Sequence, residues 1–327
     1  MIRFGTIGTN WIVDRFIDAA SKLEDFSLQA VYSRTEEKAK AFAEKHGVAQ
    51  TYTSMKEMAA SSDIDAVYIA SPTSLHAEHA IECMKQGKHV LVEKAIASNE
   101  VEVKQMIEVA KQHNVLLMEA LKTTHLPNFK VVKDHLHKIG PVRRYFASYC
   151  QYSSRYDKFN EGIVLNAFDP KFSNGSLIDI GIYCIYPMVA LFGEPDNLQA
   201  NAYMLSTGVD GQGSIIVNYE KMQGSVMFSK ITNSYVPSEI QGEDGSIIID
   251  SISEPTHVEI RYHDGSTEVI SKEQEANAMY YEAQAFIDLI KDGKTECPIN
   301  SFANSLITTS IIEQARKQIG VVFPSDQ

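Results

Sequence analysis

Basic residues are in short supply in this chain. Lys and Arg number 30 against 42 Asp and Glu, a formal net charge of −12 over 327 residues. That balance opposes broad electrostatic binding to nucleic acid or to an anionic membrane, while leaving room for a small basic pocket for a phosphate. Cysteine is scarcer still. Cys83, Cys150, Cys184 and Cys297 stand far apart with no Cys-x-x-Cys pair, so neither a metal site nor a disulfide framework is indicated, and a reducing, cytoplasmic location is expected. No uninterrupted apolar run approaches the length of a membrane span. The N-terminus opens on an apolar strand without the n-region, h-region and cleavage site of a signal peptide. Gly-x-Ser-x-Gly, His-Glu-x-x-His and Walker patterns are missing, which leaves hydrolase and phosphotransferase readings without specific support. There is no repeat, low-complexity segment or Pro/Ser-rich linker.

What is present is organised around His89 to Ala95. Val90, Leu91 and Val92 form the short apolar run of a buried parallel strand. It stops at Glu93-Lys94, so two charged side chains stand where a buried strand ends. In an open α/β sheet that edge is where ligands bind. A lysine there can donate to a carbonyl oxygen or hold a negative cofactor; it can equally be a surface residue closing a strand.

The chain before it alternates strand and helix. Ile2 to Ile7 reads as a strand, followed by the turn Gly8-Thr9-Asn10-Trp11-Ile12-Val13 and a helix through Phe16, Ile17 and Ala20. A dinucleotide turn places Gly-x-Gly-x-x-Gly/Ala there, so that backbone amides and a helix N-terminus approach a pyrophosphate. Only Gly8 is kept. Asn10 takes the second glycine position, where its tolerance of positive φ keeps the turn feasible. Leu28 to Tyr32 is the next strand, ending at Ser33-Arg34, where NAD-binding proteins place an acid against the ribose. A hydroxyl and a guanidinium favour a 2′-phosphate instead, hence NADP over NAD. Thr35 caps a helix closed by Gly47, and Ser54 with Glu57 has capping-box spacing. Ala66 to Ala70 is a strand, after which Thr73 or Ser74 caps a helix ending near Gly87. His76 and His79 on that helix read as solvent-exposed histidines rather than metal ligands. Asn99 and Glu102 start another helix, and Val115 to Met118 is a strand ending at Glu119-Ala120. The alternation predicts a doubly wound parallel sheet from residue 1 to about 120.

The texture changes after Pro127. A helix is expected from Asn128 to about Ile139, then a strand from Val142 to Tyr152. Strand-like runs near 197–207, 213–219, 223–232, 236–241, 246–250, 256–262 and 266–270 predict a largely antiparallel sheet. Gly208 to Gly213 reads as a hairpin loop. Tyr281 to Lys291 and Phe302 to Ile319 read as helices. Between Gly175 and Gly193 runs an apolar helix, interrupted early by Gly181, that carries Asp179 and Tyr183 four residues apart. A carboxylate and a phenol on one apolar face can form a proton-transfer pair, or a buried hydrogen-bonded pair used for packing.

In this order and spacing, Gly8 to Ile12, Ser33-Arg34, Pro72 to His76, Gly87 to Lys94 and Asp179-Ile180-Gly181-Ile182-Tyr183 resemble the Gfo/Idh/MocA family of oxidoreductases over nearly the whole chain. Gly193-Glu194-Pro195 and Gly242 to Gly245 are further landmarks. Met118-Glu119-Ala120, with Asp179 and Tyr183, is most similar to the dihydrodiol dehydrogenase and NADP-dependent xylose dehydrogenase branch, in which a Tyr stands where many relatives have His. The resemblance implies a Rossmann domain over residues 1–122 and a substrate-binding and oligomerisation α/β domain over 123–327. The open sheet of the second would make a homodimer or a dimer of dimers. It implies hydride transfer between NADP, with NAD possible, and a small-molecule sugar, polyol, dihydrodiol or related alcohol. Gly8, Thr9, Asn10, Trp11, Ile12, Ser33, Arg34, Ser71, Pro72, Thr73, His76, Glu93 and Lys94 would bind the cofactor. Lys94, Tyr183 and Asp179 would be catalytic, with Tyr183 and Lys94 converging beside the nicotinamide. Two departures stand out: Ala95 replaces the proline that follows the family lysine, and Asn10 replaces a glycine. The same fold also serves non-catalytic NAD(P)-binding sensors and regulators; Lys94, Asp179 and Tyr183 together favour the enzyme.

Overall fold

The computed structural model describes residues 1–327, which form two compact units: 1–122 with 275–305, and 123–274 with 306–327.

The first unit is built on six parallel strands: β1 (Ile2–Ile7), β2 (Phe26–Tyr32), β3 (Gln50–Tyr52), β4 (Ala66–Ile69), β5 (His89–Glu93) and β6 (Leu117–Ala120). Their order is β3-β2-β1-β4-β5-β6, so the winding direction reverses between β1 and β4. A crevice outside the strand ends at such a reversal is the binding place of an open α/β sheet. β4 is buried throughout and β5 at every residue but its first, which is why both read as unbroken apolar runs rather than alternating ones.

Helices Trp11–Ala20, Glu36–His46, Met55–Ala60, His76–Lys85 and Glu100–His113 lie between the strands. Gly47 closes the second at φ 68°, and Asn99 caps the last through the amide of Glu102. Thr35 occupies a cap position without a side-chain bond. The helix after β4 also differs from expectation. Thr73–Leu75 form a 3₁₀ turn and the helix starts at His76 with no side-chain cap.

Residues 275–305, assigned from sequence to the second domain, belong with the first. The reason is the apolar stripe of helix Met279–Lys291. Met279, Ala283, Phe286 and Ile287 complete one core with Phe4, Phe16 and Tyr68. Phe286 is fully buried with its ring 5.9 Å from that of Phe4, and truncating such a residue to Ala costs about 3–5 kcal/mol.

The second unit carries an eight-stranded sheet: β7 (Val142–Cys150), β8 (Asn197–Met204), β9 (Asp210–Asn218), β10 (Gln223–Ser229), β11 (Ser238–Gly242), β12 (Gly245–Ile249), β13 (Val258–Tyr262) and β14 (Thr267–Val269). The order is β14-β13-β12-β11-β7-β10-β9-β8, antiparallel except where β10 runs parallel to β7. Period-2 alternation sorts the faces. Tyr145, Ala147, Ile215, Val217, Val226, Phe228, Ile240, Ile247 and Ile260 are buried, whereas Tyr203, Ile216 and Met227 are exposed on the opposite face. Gly211 and Gly213 lie inside β9 rather than in a loop, and the turn is only Leu205 to Val209, with Gly208 at φ 87°. The helix from Pro127 ends at His135 and gives way to a 3₁₀ turn, Leu136–Ile139.

The segment Pro170–Phe192 is apolar and long enough to cross a membrane by length and composition, yet it is mostly buried within the protein. Inside it, Leu177–Gly181 form a π-helical turn that runs directly into the α-helix Ile182–Phe192. A Cβ on Gly181 would lie 3.2 Å from Leu177 and Phe228 side-chain atoms, so glycine lets this turn sit against β10.

Candidate active site

The sequence-predicted residues fall into two clusters, one in each unit.

In the first unit they gather at the C-terminal edge of the parallel sheet. Gly8 leaves β1 at φ 113°, and a Cβ there would stand 2.9 Å from the carbonyl oxygen of Ala70, so a side chain is excluded by both conformation and contact. Asn10 does not use the positive φ expected of it. It is extended, at φ −96°, and caps the helix by accepting the Ile12 amide at 3.0 Å. Its amide nitrogen donates to the Ala70 oxygen at 3.1 Å, tying the helix start to the end of β4. Polarity and reach are therefore what this position requires. Thr9 and Ile12 are half-buried and Trp11 is 62% exposed. At the end of β2, Ser33 is buried and donates its amide to Tyr52, while Arg34 is exposed. The nearest acid in sequence, Glu36, is paired with Lys40. A bare backbone turn, a capped helix N-terminus and a guanidinium with no carboxylate at the strand end fit a dinucleotide phosphate.

The end of β5 is more heavily braced than the sequence conveys. Phe16 stacks on Tyr68 at 3.8 Å, and the Tyr68 hydroxyl donates to Glu93 at 2.5 Å. Glu93 is buried, and desolvation raises its pKa against the opposing pull of Lys94, Tyr68 and Lys122. The Lys94–Ala95 peptide bond is cis. The backbone beyond Lys94 is then gripped from two sides. His76 Nδ1 lies 2.9 Å from the Ala95 oxygen. The Ile96 amide donates to Glu119 at 2.9 Å, and Ser305 donates to the other Glu119 oxygen at 2.6 Å. Burial pushes the Glu119 carboxyl up to about 7.

His76 and His79 are not solvent-exposed, because the Ser71 loop folds over them. His76 is buried, with Nε2 2.8 Å from the Ser71 oxygen, and His79 reaches the Ser71 hydroxyl at 3.0 Å. Burial pushes the His76 imidazole down to about 4, and a neutral ring donates to only one of its two carbonyls at a time. Ser71, Pro72 and Thr73 are half-buried on the loop that it holds.

In the second unit the π-turn carries Asp179 and the following helix carries Tyr183. The Asp179 carboxylate is held at 2.5 Å by Lys230, whose ammonium also lies 5.4 Å from the centre of the Phe168 ring. Asp210 accepts the Leu177 amide at 2.6 Å, anchoring the start of the π-turn, and burial raises its carboxyl to about 6. The Tyr183 ring meets Tyr149 edge to face at 5.6 Å, and the Tyr149 hydroxyl donates to Gln151 at 3.2 Å.

Sequence reading missed Lys230, Asp210 and the part played by Glu119. Lys230 had a signal. It follows the apolar Val226-Met227-Phe228 of β10, a charge after an apolar run as Lys94 is, although the open α/β edge that singled out Lys94 has no counterpart in this mostly antiparallel sheet. Glu119 ends an apolar strand as well, but its partners, the Ile96 amide and the Ser305 hydroxyl, are brought close only by folding, and Asp210, which takes the Leu177 amide, had no local signal.

A family model described as "Oxidoreductase family, NAD-binding Rossmann fold" matches residues 2–121, and one described as "GFO/IDH/MocA C-terminal domain" matches residues 135–248. The scyllo-inositol 2-dehydrogenase (NADP(+)) IolU of Bacillus subtilis is 58% identical, covering 100% of both chains. A trans-1,2-dihydrobenzene-1,2-diol dehydrogenase of Xenopus laevis is 31% identical, covering 98% of this chain and 99% of its own. Among solved structures, a 3-ketoreductase from Actinomadura kijaniata in complex with NADP and TDP-benzene has the same fold. Its TM-score is 0.85 at 24% identity, covering 97% of this chain and 98% of that one.

Proposed function

We propose, for a chain that belongs to the Gfo/Idh/MocA family of oxidoreductases, the NADP-linked oxidation of one ring hydroxyl of an inositol-type cyclic polyol, and its reversal. The protein is an NADP(H)-dependent oxidoreductase acting on a sugar, a polyol or a related alcohol. The inositol class is the finer reading, and the observation that carries it is the 58% identity, end to end, with the Bacillus subtilis scyllo-inositol 2-dehydrogenase.

NADP, when bound, accepts or returns the hydride. The chain supplies position and charge. Gly8 to Ile12 receive the pyrophosphate at a helix N-terminus, and Ser33 with Arg34 receives the 2′-phosphate. Ser71, Pro72 and Thr73, held by His76, line the approach beside β4. Lys94 stabilises negative charge on the substrate oxygen. Tyr183 moves the proton at that oxygen. Asp179 receives a substrate hydroxyl.

Two further readings belong here. The outer face of the eight-stranded sheet, with Tyr203, Ile216 and Met227 exposed, supports a homodimer or dimer of dimers. Four unbridged cysteines support a reducing, cytoplasmic location.

The test is a panel in which scyllo-inositol, myo-inositol, aldoses and dihydrodiols are offered with NADP, followed by nicotinamide absorbance. Preference for an inositol by kcat/KM is expected; efficient turnover of aldoses or dihydrodiols with none of any inositol overturns the substrate reading.

A further inference from the structure

The Asp179–Lys230 pair is lopsided: the lysine side chain is 5% exposed and the aspartate 30%. Burying an ammonium is costly, and an apolar side chain of similar size would fill the same space at less cost. Lys230 is also fixed along its backbone. Its amide donates to Gly211 at 2.9 Å, and its carbonyl accepts from Ser153 at 2.9 Å. Phe168 closes one side of the ammonium at 5.4 Å. The arrangement is a rigid buried cation behind a carboxylate that reaches the surface.

We propose that Lys230 is a positioning residue for the reaction, holding Asp179 ionised and aimed so that it accepts a hydrogen bond from a substrate hydroxyl. The inference rests on the reading of Asp179 as part of the active site. A carboxylate in hydrogen-bond contact with a fixed ammonium keeps its charge and presents acceptor lone pairs in a set direction. Asp210 stabilises the same geometry from the other end. It anchors the Leu177 amide at the start of the turn that carries Asp179, and Lys230 partly offsets the burial that raises its pKa. On the neighbouring elements, Tyr183, Cys184 and Tyr186 lie on the helix and Tyr145, Tyr149 and Cys150 on β7, whose Arg143 and Arg144 stand at the far end of the strand, Arg144 beside Gln223 while Cys150 pairs with Ser229 next to Lys230. Phenols and thiols of this kind carry no charge near neutrality, so Lys230 supplies the positive charge facing Asp179.

The experiment uses the full-length protein with NADP and whichever polyol of the panel turns over best. In Lys230→Met, kcat/KM should fall about tenfold or more, mainly through KM, with NADP affinity unchanged. Removing the cation favours protonated Asp179, so the acidic limb of the kcat/KM profile should move up by about one pH unit or more. Lys230→Arg should restore both. In Asp179→Asn the further change Lys230→Met should cost little, because the two act as a unit. If Lys230→Met does not fold, Lys230→Gln carries the same expectations. A Met or Gln variant with wild-type kcat/KM and pH profile, beside an impaired Asp179→Asn, overturns this inference alone. Full turnover in Asp179→Asn overturns the reading of Asp179 and this inference with it.

Discussion

Glu119 accepts the amide hydrogen of Ile96 at 2.9 Å, and so fixes the backbone two residues beyond Lys94 from a neighbouring strand. Its second oxygen takes the Ser305 hydroxyl. Together with His76 on the Ala95 oxygen, this buried acid grips the turn that follows Lys94.

A pH signature follows. Burial first of all, then the nearby Glu93, raises Glu119 from an ordinary carboxylate to about 7. A carboxyl whose folded pKa is raised stabilises below its unfolded value, and that stability is lost as pH climbs through the folded value. Between roughly pH 4.5 and 7 the native protein should therefore lose on the order of 3 kcal/mol relative to Glu119→Gln, which does not titrate. Urea unfolding of both proteins across that range checks it, and parallel stability curves would contradict it. Glu119→Ala, which orphans the Ile96 amide, should destabilise by about 1–3 kcal/mol and lower turnover through Lys94.

Arg34 stands exposed at the end of β2, with no acid beside it at positions 33–35. Arg34→Ala should weaken NADP(H) binding by about 1–3 kcal/mol and barely change NAD(H). Titration of both cofactors by intrinsic fluorescence measures the difference, and an equal loss for both would refute a 2′-phosphate contact.

Tyr183→Phe keeps the ring against Tyr149 and removes the proton. Turnover should fall by about 10²-fold or more with cofactor binding nearly intact. Lys94→Met should also lower turnover, and the double variant should lose less than the product of the two. Retained turnover in Tyr183→Phe, with chemistry shown to limit the rate, would move the proton to another group.

Met227 projects from the outer face of the eight-stranded sheet, opposite Ser214 and Ser148. Met227→Glu should shift light scattering at micromolar protein from dimer towards monomer, while the melting transition stays cooperative. A wild-type protein that is monomeric there would remove the dimer proposal altogether.

The parallel sheet was legible where its strands are buried, as in Ile2–Ile7, β4 and β5, and where a helix is capped, as at Asn99; the short, half-buried β3 carries neither signal. All seven strand-like runs after residue 196 are strands. Their bounds were misread where a strand and its turn share composition: β8 stops at Met204, short of the run 197–207, and β9 starts at Asp210, inside the stretch Gly208 to Gly213 read as a loop. Illegible in principle were long-range polar contacts. Nothing local in Glu119 records that it faces the amide of residue 96, and nothing near Asp179 announces a lysine 51 positions away. The return of residues 275–305 escaped for the same reason. Helix Met279–Lys291 shows an apolar stripe, and a stripe does not say which core it completes.

That return sets a timetable for synthesis. A nascent chain released from the ribosome as far as residue 274 has all fourteen strands, yet its first sheet still lacks Met279, Ala283, Phe286 and Ile287. The first unit begins the chain but is complete only once residue 305 has emerged, and the second, which takes in 306–327, is completed later still. The first unit's earliest residues wait, with Phe4 and Phe16 incompletely covered, until almost the last part of the message has been read.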